Sequence, residues 1–184
     1  MHGFIFSEAK KFVTATHGVV AWFTILEKAG LGSKEFANYL EYPDEEIVRI
    51  VGVASEITQV SADAILDDFG AFLGEDLLEI YKPLTRPEWK TLDFLLQTEE
   101  TIHHAVRTRN SQAKPPALAV SRLNESAVVV DYRSSRRLCS LAKGIARGVA
   151  KHYGEQVNVV DESCMLTGAE ACRIRVELVV PGPA

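Results

Sequence analysis

Cysteine is scarce in this sequence: Cys139, Cys164 and Cys172 are the only three in 184 residues. An odd and widely spaced set excludes the disulfide framework of a small secreted domain. It leaves metal binding, redox sensing or plain burial for the thiols. Basic residues are also in deficit, with 20 Lys and Arg against 25 Asp and Glu for a net charge of -5. Without a cationic excess to neutralise phosphates, a general nucleic-acid binder is not expected. No run reaches the roughly 18 apolar residues that would span a bilayer. The opening Met1-His2-Gly3-Phe4 is followed by Glu8, Lys10 and Lys11 rather than by a secretory apolar segment. The expectation is a cytoplasmic protein with no membrane partner.

What is present is the composition of an ordinary globular domain, 47% hydrophobic and 24% charged, without internal repeat or linker. One domain over residues 1–184 is expected. The first two thirds carry helical periodicity. From His17 to Lys28, Val19, Phe23 and Leu26 fall on one face, and Gly30 with Gly32 ends the element. Asp44 caps a helix carrying Ile47, Ile50, Val51, Ala54 and Ile57, with Glu45 and Glu46 in its first turn. Ser61 caps another whose stripe is Ile65, Leu66, Phe69, Phe72 and Leu73, interrupted at Gly70, where a close approach is expected. Pro87 introduces a long helix from about Glu88 to Arg107.

The period then changes to two. Leu118–Leu123 and Ala127–Tyr132 read as a hairpin about Asn124-Glu125, Leu138–His152 as a helix stopped by Gly154, and Val157–Val160 and Cys172–Val180 as two closing strands. The fold class is therefore α+β, a helical N-terminal half followed by a C-terminal antiparallel sheet half in the order strand-strand-helix-strand-strand.

Two features carry chemistry. In Asp131-Tyr132-Arg133-Ser134-Ser135-Arg136, strand alternation would set Tyr132, Ser134 and Arg136 on one side. Two hydroxyls and a guanidinium so placed form a receptor for carboxylates, the competing reading being a solvated strand end. The second feature is the pair His103 and His104, about 100° apart on a helix. His103 shares its row with Leu92, Leu96, Glu99 and Val106, an apolar seam broken once; His104 shares its row with Asp93, Gln97, Glu100 and Arg107. His103 thus faces inward, as a satisfied core histidine or as a ligand, and His104 faces solvent. A neutral imidazole on an apolar wall can ligate iron, and the hydroxyl and guanidinium set can hold two carboxylates. Haem b presents both needs.

With these residues in place, the sequence resembles the H-NOX family, the haem nitric oxide/oxygen binding domain also found in soluble guanylate cyclases. The resemblance runs the whole length. It is carried by Met1-His2-Gly3, His17-Gly18 through Lys28-Ala29-Gly30, Val51-Gly52-Val53-Ala54-Ser55-Glu56, Phe69-Gly70, His103, Pro115-Pro116 and the Tyr132, Ser134, Arg136 set. The resemblance implies haem between the two halves, His103 as the iron ligand, and Tyr132, Ser134 and Arg136 on the propionates. It implies that Pro116 presses on the porphyrin and helps to distort it. Leu141 aligns with the distal tyrosine of the family's oxygen binders, and Ile5, Ala9 and Leu73 fall at other distal positions. None of these side chains can donate a hydrogen bond to bound oxygen. The resemblance therefore implies a sensor, not an enzyme, that binds nitric oxide and carbon monoxide with poor oxygen retention. Its output in trans would go to a histidine kinase or to a cyclic-di-GMP enzyme, a diguanylate cyclase or phosphodiesterase.

Some members of that family carry zinc on cysteines matching Cys139, Cys164 and Cys172. The fourth ligand there, a histidine, aligns with Asp161 in this sequence. Three thiolates and a carboxylate are chemically allowed on zinc. Two further readings are kept beside the sensor: a haem-dependent oxidoreductase or apolar-cofactor carrier on the same fold, and a zinc or thiol redox regulator built on the three cysteines.

Overall fold

A computed structural model describes residues 1–179. Six α-helices precede the sheet: α1 (Gly3–His17), α2 (Val19–Lys28), α3 (Asp44–Thr58), α4 (Ala62–Tyr81), α5 (Thr91–Thr98) and α6 (His104–Arg109). The strands β1 (Ala117–Asn124) and β2 (Ala127–Arg133) form the hairpin, α7 (Cys139–His152) crosses over, and β3 (Val157–Ser163) and β4 (Cys172–Leu178) close the sheet. Its order is β1-β2-β4-β3 with every neighbouring pair antiparallel. The α+β reading of a helical half followed by a strand-strand-helix-strand-strand half is what the chain adopts. Val180, the end of the last expected strand, lies outside the described residues.

Four local expectations change. A full helix, α1, precedes His17, and Gly18 at φ 83° separates it from α2. That backbone region is open to glycine at little cost and ends the run. Pro43 rather than Asp44 is the N-cap of α3, so the Asp44 carboxyl stands in the first turn and is free for a tertiary partner. The helix expected from Glu88 starts at Thr91, where the Lys90 N–H donates to the Asp93 carboxylate at 3.2 Å. It is interrupted by a π turn, Glu99–His103, before α6 begins. A single π turn inside a helix re-aims the side chains it carries and recurs at functional sites.

The two halves meet through α4 and α7. At Gly70 a methyl group would fall on the Leu141 carbonyl and Gly144, and at Gly148 it would fall on the backbone of Ala71. Only glycine lets these helix backbones approach so closely, which is the close approach expected at Gly70. One core cluster joins α1 to α4 around Phe6, Trp22, Leu26, Phe69 and Leu73. A second fills the space between the sheet and α7 with Val128, Ala146, Ile174 and Val176. Each fully buried side chain of this size contributes about 1.5–3 kcal/mol relative to exposure. Leu141 belongs to the first cluster and Ala146 to the second, so the two faces of α7 tie the halves together.

Candidate functional site

Between the halves lies a cavity of about 410 Å³, walled mostly by apolar side chains. The size and character suit an apolar cofactor held by a few polar groups. His103, Tyr132, Ser134, Arg136, Pro116, Leu141, Ile5 and Leu73 all line it. Ala9 does not; it is buried within the core of the helical half. His103 on one side and Tyr132, Ser134 and Arg136 on the other thus reach one space from opposite halves of the chain.

His103 closes the π turn, with its side chain 13% exposed. His104 is exposed, as its polar row predicts. The His103 Nδ1 lies 2.9 Å from Glu99 Oε2, which leaves Nε2 for the cavity that the ring lines. Burial pushes the imidazole below its ordinary pKa, against the pull of the Glu99 carboxylate and the Pro116 carbonyl. That direction favours the neutral ring, the form that can donate a lone pair to a metal. Glu99 itself is desolvated, yet the contacts from His103, Arg107 and the Leu118 N–H outweigh that cost and hold its carboxyl below the usual range.

The carboxylate receptor is built differently from the expected strand alternation. β2 ends at Arg133, and Ser134 and Arg136 stand in the turn that follows. Ser134 Oγ accepts from the Arg136 N–H at 3.2 Å, and the Arg137 N–H donates to the Ser134 carbonyl at 3.1 Å with Arg137 at φ 53°. A hydroxyl-stabilised turn, rather than continued period-two geometry, brings Ser134 and Arg136 to the cavity beside Tyr132 of β2. Tyr132 is 3% exposed. Burial raises its phenol pKa, opposed by the neighbouring Ser134 hydroxyl and Leu138 N–H. Arg136 is oriented by two contacts: Nε donates to Asp44 Oδ1 at 2.9 Å, and one terminal nitrogen donates to the Lys114 carbonyl at 2.5 Å. The other terminal nitrogen is left for a ligand, beside two hydroxyls that can donate or accept.

The donor set fits haem on both counts. One neutral imidazole stands on the helical wall, and a guanidinium with two hydroxyls stands at the sheet end of an otherwise apolar space. Sequence reasoning passed over four supporting groups. Glu99 was visible as the one polar break in the His103 row, four residues before it. Asp44 is 92 residues from Arg136 and gave no local signal. Arg109 and Lys114 also line the cavity.

The cysteines form a separate cluster. Cys139 opens α7, Cys164 follows β3 and Cys172 opens β4. The Cys164 sulfur is 3.6 Å from that of Cys139 and 3.6 Å from that of Cys172, and all three lie within 4.8 Å of one another. Asp161 does not join this group: Lys143 of α7 holds its carboxylate at 2.6 Å. Burial raises the Cys139 thiol to about 12 and also raises that of Cys172, whereas the Leu166 N–H and the neighbouring thiols lower that of Cys164 against its desolvation.

Comparison with known proteins bears on the cavity. The Haem-NO-binding family model matches residues 2–161. Soluble guanylate cyclase 89Da of Drosophila melanogaster is 23% identical over 181 residues, 96% of this chain and 27% of the cyclase. Soluble guanylate cyclase gcy-35 of Caenorhabditis elegans is 25% identical over 158 residues, 82% of this chain and 23% of the cyclase. The chain thus spans about a quarter of the length of these curated relatives. An H-NOX protein from S. oneidensis in the Fe(II)NO ligation state superposes with a TM-score of 0.91 at 24% identity, covering 98% of this chain and 100% of the other. The Fe(II) unliganded H-NOX protein from K. algicida gives 0.85 at 19% identity, covering both chains fully at 100%. At these identities the structures establish a shared fold.

Proposed function

The chain belongs to the Haem-NO-binding family, and from that premise we propose that it is a cytoplasmic, non-catalytic sensor domain, residues 1–184, which holds haem b in the cavity between its halves. His103 is the iron ligand; Tyr132, Ser134 and Arg136 bind the propionates; Pro116 presses on the porphyrin from the loop before β1. The observation that carries this reading is the placement of His103 and of the Tyr132, Ser134, Arg136 set in one apolar cavity. When bound, haem supplies a ferrous iron able to take a diatomic gas. The protein's own part is to divide the anchorage. His103 stands on the helical half and the clamp on the sheet half, so a change in the hold on His103 moves the segment Glu99–Arg109 relative to β1.

Leu141, Leu73 and Ile5 present no hydrogen-bond donor. The reading is accordingly nitric oxide and carbon monoxide binding with poor oxygen retention, because bound oxygen gains most from a donor. Output passes in trans to a histidine kinase or to a diguanylate cyclase or phosphodiesterase, a partner that prefers one of two arrangements of the halves. Absorption spectra of the reduced protein, alone and with oxygen, carbon monoxide and nitric oxide, test this reading. Haem bands that shift with the last two gases and give no stable oxygen complex are expected. A protein supplied with haem that shows no Soret band would contradict it.

For the cysteines we propose zinc in a structural role. Tetrahedral zinc with bonds of about 2.3 Å to sulfur sets its thiolates about 3.8 Å apart, close to the 3.6 Å seen from Cys164 to its two neighbours. Asp161 would have to leave Lys143 to serve as fourth ligand. A thiol redox switch with haem secondary is not favoured, since the family match and the cavity both point to haem. Metal analysis of protein purified without chelator should give about one zinc per chain, reduced in Cys164→Ser; equal zinc in both would remove this site.

A further inference from the structure

Glu99 interrupts the apolar seam of the His103 row, and its side chain is only 22% exposed. A carboxylate withdrawn this far from water is costly unless its oxygens are paired. Both are. Oε2 accepts from the Leu118 N–H at 3.1 Å and lies 2.9 Å from His103 Nδ1, while Oε1 accepts from an Arg107 terminal nitrogen at 2.7 Å. The three partners come from three places: the end of the π turn, the following helix α6 and the strand β1. A carboxylate fixed by three donors cannot rotate without losing at least one. The imidazole it faces is therefore held in one orientation, with one tautomer favoured.

We infer that Glu99 is the positioning residue of the iron ligand, fixing the His103 imidazole with its proton on Nδ1 and its Nε2 lone pair toward the cavity, and strengthening that lone pair as a metal donor. The inference rests on the haem reading above. The physical ground is general: a ligating imidazole that gives its other N–H to a carboxylate becomes a stronger donor than one bonded to a neutral oxygen, and the partner fixes the ring's orientation. In this chain the same carboxylate also binds the Leu118 N–H, two residues beyond Pro116. Glu99 thus ties the ring to the edge of the sheet as well as tuning it. A weaker hold at Glu99 should make His103 easier to release from iron.

The test compares wild type, Glu99→Gln and Glu99→Leu, each loaded with haem and reduced, with His103→Gly identifying the iron–histidine band in resonance Raman spectra. Glu99→Gln keeps the size but removes the charge. It is expected to shift the iron–histidine stretch to lower frequency and to raise the fraction of the nitric oxide complex that has lost His103. Glu99→Leu is expected to go further. Proton–nitrogen correlation spectra of the haem-free protein supply a second reading, independent of iron. His103 should carry its proton on Nδ1 in wild type and show a mixture of tautomers in Glu99→Leu. An iron–histidine band at the same frequency in wild type and Glu99→Gln, or an unchanged tautomer in Glu99→Leu, would overturn the inference while leaving haem binding intact. A reduced protein with no histidine-bound iron would contradict the functional reading itself and remove the inference with it.

Discussion

Glu8, on α1, is a carboxyl with conflicting neighbours. It is buried at 9% exposure, and its Oε2 has no hydrogen-bond partner among the described residues, although Lys11 Nζ stands 3.7 Å away. Asp76 of α4 takes the same lysine at 2.5 Å. Two ionised carboxyls cannot bond to each other, but one proton shared between them can. Desolvation and the neighbouring Asp76 carboxyl raise Glu8 to about 7, against Lys11. The folded state therefore holds this proton more tightly than the unfolded chain. Its contribution favours folding at acid pH and is lost as pH climbs from the ordinary carboxylate range to about 7. Glu8→Gln should melt close to wild type at about pH 5 and above it at about pH 8; a difference that does not grow across that window contradicts the assignment. On the cavity wall, Leu141→Tyr introduces a donor where the apolar surface has none. It should slow oxygen dissociation from the reduced protein by about tenfold or more, as a hydrogen bond of about 1.4 kcal/mol requires. Unchanged oxygen dissociation would mean that Leu141 does not face the gas.

The elements show which parts of the fold could be read in sequence. The amphipathic helices and the hairpin follow from spacing alone, because burial of one face imposes its period on the residues. The π turn at Glu99–His103 leaves no such trace: inserting one residue into a turn shifts hydrogen bonds, not composition. The same holds for the clamp. Alternation found the right residues, Tyr132, Ser134 and Arg136, for a reason that applies only up to Arg133; beyond it the Ser134 hydroxyl and the left-handed Arg137 shape the turn. Asp44 was legible as a helix-start residue but not as the partner of Arg136, since that contact exists only once the halves are packed. The helix crossing is testable through its glycines. A methyl group at Gly144 would strike the Asp67 carbonyl of α4, whereas one at Gly52 on α3 would meet nothing within 4 Å. Gly144→Ala should destabilise by about 1–3 kcal/mol despite its better helix propensity. Gly52→Ala should stabilise by about 0.5–1 kcal/mol. Denaturant unfolding of the two variants checks the contrast, and equal signs would refute the close approach.

Across the whole molecule, the arrangement amounts to two packed halves with a cavity at their boundary and polar anchors on both sides. Arg136 reaches back from the sheet half to Asp44 of the helical half, and Glu99 reaches forward from the helical half to Leu118 of the sheet. Each half therefore holds the other at a residue adjoining the cavity. Removing Arg136 should weaken both the clamp and the crossing. Arg136→Ala is expected to lose haem to an apoprotein acceptor several times faster than wild type, and equal loss rates would place the propionates elsewhere. The central claim, that His103 holds the iron in this cavity, is tested most directly by comparing the absorption spectra of reduced wild type and His103→Gly, with and without added imidazole. Histidine-ligated ferrous haem is expected in wild type, with its loss in the variant and its return with imidazole. Identical spectra for the two proteins before imidazole is added would contradict it.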